Sequence, residues 1–326
     1  MPATRFDLCG IGNAIVDVVA PVAEAFLSKH DMHKGGMALI SAEQAAAIYA
    51  SMPPGQESSG GSVANTCAVA SGLGARVGFL GKVADDELGQ VFRHDITAAG
   101  VAFPTAPLRD GAPTARCLIA VTSDGQRTMN TFLGACVTFG PEDLDEAMIA
   151  DSAVTYLEGY LFDPPHAQAA FRRAAEVAHA AGRQVALSLS DAFCVSRHRA
   201  AFQDLVAGHV DILFANETEI CALYEENDFD AAAGRASRDV VLAALTKAEA
   251  GSLVLHRGER IAVPAAPATV VDTTGAGDAY AAGFLAGMAA GRTLASSAAL
   301  GSRAAAAVIG QYGARPLMDL KAMAAV

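Results

Sequence analysis

The chain has 326 residues, 52% of them hydrophobic, 18% charged and 6% aromatic, with 23 basic against 35 acidic side chains and a formal charge of −12. A chain this long buries roughly three quarters of the surface it exposes when unfolded, and at about 150 residues per domain it makes about two units. The apolar fraction excludes disorder, and the acidic balance argues against nucleic acid as a partner.

The longest apolar run, residues 279–290, has 12 residues and is closed by Gly291 and Arg292, whereas a membrane span needs about 20. Asp7 and Asp17 interrupt the N-terminal apolar stretch, so no signal peptide is read there and the cytoplasm is the expected location. Six scattered cysteines without a C-x-x-C pattern suit reduced core thiols. His30 and His33 have no third ligand near them in sequence and are set aside as a metal site.

In chain order, residues 6–12 form an apolar run ending in Gly, and residues 14–20 continue it past a bend that holds Asn13. Ser41 and Gln44 have capping-box spacing ahead of a short helix stopped by Pro53 and Pro54. A small-residue helix at 62–73, a strand at 76–81 and a helix at 87–99 follow, the last ended by Gly100. The rhythm then changes. Residues 101–108, 115–121 and 127–133 read as strands, the last two joined through the turn residues Ser123, Asp124 and Gly125. Pro141 opens a helix, and alternation resumes with strands at 153–157, 184–189, 210–215 and 252–256, the C-terminal part being mostly helical. This alternation implies a mainly parallel α/β sheet covered by helices on both faces, with a small β element near its carboxyl edge.

The strongest chemical signal is Asp272-Thr273-Thr274-Gly275-Ala276-Gly277-Asp278, a glycine-rich turn leading into an Ala-rich helix. The first helical turn leaves N–H groups unpaired and carries the positive end of the dipole, and glycines let an anion approach the backbone. A carboxylate at such a site repels phosphate, but it makes sense as a base that accepts a hydroxyl proton while the amides hold a transferring phosphoryl group. Its competitor is a helix-start Asp that merely stabilises the dipole. The chain lacks G-x-x-x-x-G-K-[ST], which excludes a P-loop, and Ile15 stands where a dinucleotide fingerprint needs its third glycine.

That string resembles the signature of the ribokinase-like, or PfkB, family of carbohydrate and nucleoside kinases. Gly60-Gly61-Ser62-Val63-Ala64-Asn65, with Gly78 to Gly81 and Gly89 beyond it, resembles the family's N-terminal signature. The resemblance implies a three-layer α/β/α fold with a small β-sheet lid. Residues 1–14, 43–100 and 134–326 would form the main domain, and residues 15–42 and 101–133 the lid. It also implies Asp278 as catalytic base, with Gly275, Ala276 and Gly277 supplying the anion hole. Asn13, Asp17, Gly61 and Asn65 would hold the acceptor's hydroxyls, a task that suits a carboxylate facing a diol; the alternative for Asn13 and Asp17 is a turn.

Asn216 and Glu219 match the family's N-x-x-E motif, which helps place the ATP phosphates and hydrated Mg2+, Glu219 acting through water; a helix cap competes with that reading. Arg127 would reach the phosphates from the lid, and Thr273 would join the nucleotide site. Asp272 and the loop to Gly313 resemble the monovalent-cation site of some relatives, with Leu317 near where they offer a small polar ligand, so K+ is left open. The stretches 124–135 and 188–194 look most like the adenosine-kinase-like subgroup. Against this, Leu161 cannot stack a purine, whereas Tyr160 and Phe162 can. The expected enzyme is thus an ATP-dependent kinase of a primary hydroxyl, that of adenosine first, with ribose, fructose or a keto-deoxy sugar acid as the alternative. Its partner is then a small molecule rather than nucleic acid or membrane, and its state is monomer or homodimer.

Overall fold

A computed structural model describes residues 4–325 and places two sheets around one crevice. Among the described residues fourteen strands run in chain order: β1 (Phe6–Ile11), β2 (Ile15–Pro21), β3 (Met37–Leu39), β4 (Gln56–Gly60), β5 (Val77–Leu80), β6 (Val101–Ala102), β7 (Ala115–Val121), β8 (Arg127–Phe132), β9 (Ser152–Glu158), β10 (Gln184–Ser188), β11 (Ile212–Asn216), β12 (Leu242–Thr246), β13 (Ser252–His256) and β14 (Glu259–Val263). The main sheet has the order β14-β13-β12-β11-β10-β9-β1-β5-β6, parallel from β6 through β12 and antiparallel at β13 and β14. The second sheet has the order β3-β8-β7-β2-β4.

Near-continuous apolar runs let the central strands bury both faces. Leu8, Tyr156, Ala186, Ile212 and Phe214 pack with the helices Ser62–Gly72, Glu87–Ala98, Ala276–Ala289 and Leu294–Ile309. The alternate residues Cys9, Ile11, Leu157, Leu187 and Leu213 pack on the other side with Pro165–Ala180, Arg199–His209, Glu217–Tyr224 and Phe229–Asp239. This is the three-layer ribokinase-like architecture with a smaller sheet beside it.

The capping box at Ser41 forms as expected, with Gln44 N donating to Ser41 Oγ at 3.3 Å and Ser41 N donating to Gln44 Oε1 at 3.0 Å. The hairpin of β7 and β8 also pairs as expected. Other expectations need correction. Of residues 101–108 only Val101–Ala102 is strand, and it pairs with β5 in the main sheet rather than in the lid. Pro104 and Pro107 have no N–H to give to a ladder, which ends the strand there. The lid sheet instead gains β4, drawn from a polar Gln-Glu-Ser-Ser-Gly stretch that β propensity alone disfavours. Pro141 opens a short 3-10 turn, Pro141–Asp143, ahead of the Glu146–Ala150 helix. Strands β12 and β14 were not anticipated at all.

The strand order reverses between β1 and β9: the chain leaves β1 toward β5 on one side and leaves β9 toward β10 on the other. In open parallel sheets the crevice beyond the carboxyl ends at such a reversal receives ligands. Asn13 follows β1 there, and Glu158 ends β9. All six cysteines are free, five buried and Cys221 part-exposed. Among the described residues no helix is long and apolar enough to cross a membrane.

The helix that begins at Ala276 is held against Leu294–Ile309 at a glycine contact, where a Cβ on Gly283 would lie 2.6 Å from Gly301 Cα. Neither backbone can yield without moving a whole helix. Gly283→Val is therefore expected to destabilise the fold by roughly 1 to 3 kcal/mol or more, the usual cost of overpacking, read as a lowered urea midpoint; an unchanged midpoint would show that the helices separate freely.

Candidate functional site

Two glycines shape the floor of the crevice. Gly275 has φ +77° and sits so close to Ala314 that a Cβ would meet its Cα at 2.7 Å; Gly61 has φ +101° and would meet the Asn13 carbonyl at 2.2 Å. Both conformations are costly for any residue with a Cβ. Beyond Gly275 the helix Ala276–Ala289 starts, with Asp278 in its first turn. There the N–H groups of Gly277 and Asp278 lack a carbonyl one turn back. Ala276 N instead donates to the Thr273 carbonyl at 3.2 Å, so of the three expected amide donors this one is committed within the turn. The Thr273 side chain is exposed.

Asp278 Oδ1 accepts from Ser62 Oγ at 2.6 Å, and the Asn65 amide beside it also favours the charged carboxylate. Part of Asp278 reaches the surface, yet the protein packed around it pushes its pKa up to about 7. Ser62, Asn65 and the charge of Arg315 oppose that shift, while Asp17 adds to it. Asp17, on β2, is likewise pushed up to about 6 by burial, against the pull of Arg315 and Arg127.

Sequence reasoning missed Glu158. It is 1% exposed, and its two oxygens accept from Asn13 Nδ2 at 2.7 Å and Val63 N at 2.9 Å. Burial pushes it up to about 7 despite those bonds. The available signal was a lone Glu closing the otherwise apolar end of a central strand. With Asn13 Nδ2 held by Glu158, the buried Asn13 Oδ1 has no partner and awaits a donor.

Asn216 and Glu219 form a full capping box: Glu219 N donates to Asn216 Oδ1 at 2.8 Å, and Glu219 accepts from Asn216 N at 2.9 Å and from Asn216 Nδ2 at 2.7 Å. The cap is real, but it does not exhaust the carboxylate. Burial pushes Glu219 up to about 7, and the charges of Asp191 and Asp278 push the same way, so Glu219 shares one electrostatic space with Asp278. Among the described residues no group of three or more His, Cys, Asp or Glu is placed to hold a metal ion alone. Mg2+ needs no such cage, because it binds through one or two carboxylates, waters and substrate phosphates. Glu219 fits that role.

Arg127 reaches across from β8 to pair with Asp272, which also accepts from Thr274 N at 3.0 Å and Thr274 Oγ1 at 2.7 Å. Burial works against the Asp272 charge, but Thr274, the Gly313 amide and Arg127 hold its carboxyl below the usual range. The structure therefore brings together Asn13, Asp17, Gly61, Asn65 and Asp278, sets Glu219 within their electrostatic reach, and stations Arg127 beside the Gly275 turn. Arg315 was missed too; it is the one basic residue in the 310–317 segment.

The sequence pattern of the pfkB family of carbohydrate kinases matches residues 49–320. The chain belongs to that family. An adenosine kinase from Sinorhizobium meliloti, solved as a crystal structure, is 52% identical with a TM-score of 0.90, covering 98% of this chain and 99% of the other. A probable sugar kinase from Rhizobium etli is 47% identical, also with a TM-score of 0.90, covering 99% and 98%. An ATP-dependent ribose-1-phosphate kinase from Halopiger xanaduensis is 31% identical over 243 residues, 73% of this chain and 75% of the relative. The protein is an ATP-dependent kinase whose acceptor is a nucleoside or a sugar.

Four carboxyls that titrate near 6 or 7 make the folded chain bind more protons than the unfolded one between about pH 4 and 7. The stability they contribute is full below that window and lost as pH rises through it. Asp278→Asn is thus expected to raise the melting temperature at pH 8 and to change it little at pH 5. An equal effect at both pH values would mean that the carboxylate carries no desolvation cost.

Proposed function

We propose that the acceptor is a nucleoside, adenosine first, phosphorylated at its 5′-hydroxyl. The observation that carries this reading is the register of the smaller sheet. Leu39, Thr131, Cys117 and Asp17 pair across it in one row, and Met37, Met129, Ile119 and Val19 in a second row two residues along, so all eight share a face. Met37 and Leu39 on that face are 59% and 62% exposed. Asp17 has the buried Cys117 and Ile119 beside it, and the uncovered Met37 and Leu39 lie at the far edge of the same face. A carboxylate at one end and exposed apolar side chains at the other suit a ligand with a hydroxylated ring and a flat apolar base. A free sugar has no surface to offer that row. The Sinorhizobium adenosine kinase, 52% identical, supports the same reading. The alternative, a sugar acceptor, draws on the polar set Asn13, Asp17 and Asn65 and on the 47% identical Rhizobium protein.

In this reading the Asp17 carboxylate accepts the two ribose hydroxyls and Asn13 Oδ1 takes a further donor. The hydroxymethyl group then lies against Asp278. Its proton passes to the Asp278 carboxylate as the oxygen bonds to the γ-phosphorus of ATP; the bond to the β-phosphate oxygen breaks, and ADP leaves. Charge on the transferring group is met by the first-turn amides of Gly275 and Gly277 and by the helix dipole. Arg127, held by Asp272 at the mouth of the turn, adds a cation from the lid side. Glu219 would hold hydrated Mg2+ through water, and the ion, when bound, would supply counter-charge to the phosphates.

Asp278→Asn is expected to lower kcat by roughly a hundred- to ten-thousand-fold with little change in KM, because an amide cannot take the proton. Near-normal turnover in the folded variant would remove Asp278 from the role of base.

For the acceptor, steady-state rates with ATP and Mg2+ against adenosine, 2′-deoxyadenosine, ribose and fructose should give adenosine the highest kcat/KM. Asp17→Ala should raise the adenosine KM about five- to two-hundred-fold, the cost of an unpaired buried diol, and should erase the penalty for the 2′-deoxy compound. A higher kcat/KM for either sugar would overturn the nucleoside reading.

A further inference from the structure

Arg315 stands outside every motif, yet it joins three elements at the back of the crevice. Its Nε donates to Asn65 Oδ1 at 2.9 Å, its Nη1 to Asp95 Oδ2 at 3.2 Å and its Nη2 to Ser59 Oγ at 3.0 Å. Ser59 N in turn donates to the same Asp95 oxygen at 2.8 Å, so the acceptor end of this knot is fixed as well. Asn65 belongs to the helix Ser62–Gly72, Asp95 to Glu87–Ala98 and Ser59 to β4. A planar guanidinium bound on three edges cannot rotate without breaking several bonds at once.

The consequence falls on Asn65. A carboxamide has a donor end and an acceptor end, and either could face Asp278. Because the oxygen is taken by Arg315, the NH2 end is the one left to meet the Asp278 carboxylate. We infer that Arg315 is a positioning residue for phosphoryl transfer: it locks the Asn65 amide with its donor end toward Asp278 and so keeps the base in its ionised form.

The groups that face Asp278 set how much this matters. Ser62 and Asn65 come from the helix Ser62–Gly72, Asp17 from β2, Tyr156 and Glu158 from β9, Tyr160 from the turn after it, and Glu219 from the helix after β11. The three carboxylates resist ionisation of a fourth. Arg315 acts against them twice, through its own charge and through the amide it orients.

This inference rests on Asp278 being the base. The test is the pH profile of kcat/KM, from pH 5 to 9, with the acceptor turned over fastest, for the full-length wild type, Arg315→Met, Arg315→Lys, Asn65→Ala, each Arg315 variant combined with Asn65→Ala, and Asp278→Asn. Arg315→Met is expected to move the acid limb up by about one pH unit, a loss of about tenfold at pH 6 that shrinks toward pH 9. Arg315→Lys keeps the charge but cannot make all three bonds, and should move the limb part of the way.

In the Asn65→Ala background the shift should be clearly smaller, since the group that Arg315 orients is gone. Two results overturn the inference: an Arg315→Met limb that superimposes on wild type, or a shift of the same size with and without Asn65. Should Arg315→Met fail to fold by its melting curve, the same comparison in Arg315→Lys decides. Failure of the underlying reading looks different, because Asp278→Asn would then keep wild-type turnover.

Discussion

Four carboxylates, Asp17, Glu158, Glu219 and Asp278, share one crevice from which protein packing withdraws water, and their mutual repulsion is the constraint that the surrounding structure answers. Taking a charge out of water costs several kcal/mol per ion unless donors replace the solvent. Here the donors are supplied one by one: Ser62 and Asn65 for Asp278, Asn13 and the Val63 amide for Glu158, and Asn216 for Glu219. Asp17 has cations instead, with Arg315 and Arg127 opposing its burial. The fold explains why so many acids meet. Glu158 stands at the carboxyl end of the main sheet beside the strand-order reversal, Asn216 ends β11 with Glu219 just beyond it, and Asp278 arrives in the first turn of the helix Ala276–Ala289.

The smaller sheet is tied to the main domain by side chains rather than by a shared ladder. Arg127 of β8 pairs with Asp272 beside the Gly275 turn, and Arg315 binds Ser59 of β4 while holding Asn65. Both ties flank the crevice. The Arg127–Asp272 pair is largely buried, and separating a buried pair costs several kcal/mol unless another charge takes the partner's place, so this tie opens readily only as a ligand's charge replaces it. That suits a site which must admit two substrates and then exclude water from the transfer.

How much of this was legible in the sequence followed from how local each signal was. The turn Asp272 to Asp278, the Ser41 box and the Ser123 to Gly125 hairpin turn are set by neighbours along the chain, and each stands where it was read. The strand expected at 101–108 failed because an apolar stretch outweighed its two prolines. Strand β4 was missed because Gln56–Gly60 has no β character of its own and is strand only through pairing with β2. Glu158 and Arg315 were invisible for a different reason. Their meaning lies in partners 145 and 250 positions away, Asn13 and Asn65, and no periodicity connects such pairs.

The same crowding that costs stability prepares the site for its ligands. In the proposed reading substrates would relieve this crowding: ribose hydroxyls would donate to Asp17 and to the unpartnered Asn13 Oδ1, hydrated Mg2+ would offset the repulsion among Glu219, Asp191 and Asp278, and the acceptor hydroxyl would give its proton to Asp278. Ligands that bind the folded chain and relieve the repulsion stabilise it by mass action. In that reading the repulsion left over from folding becomes preference for a polyhydroxylated acceptor together with a metal-bearing phosphate donor, and Asp278, titrating close to neutrality, is tuned as a general base would be.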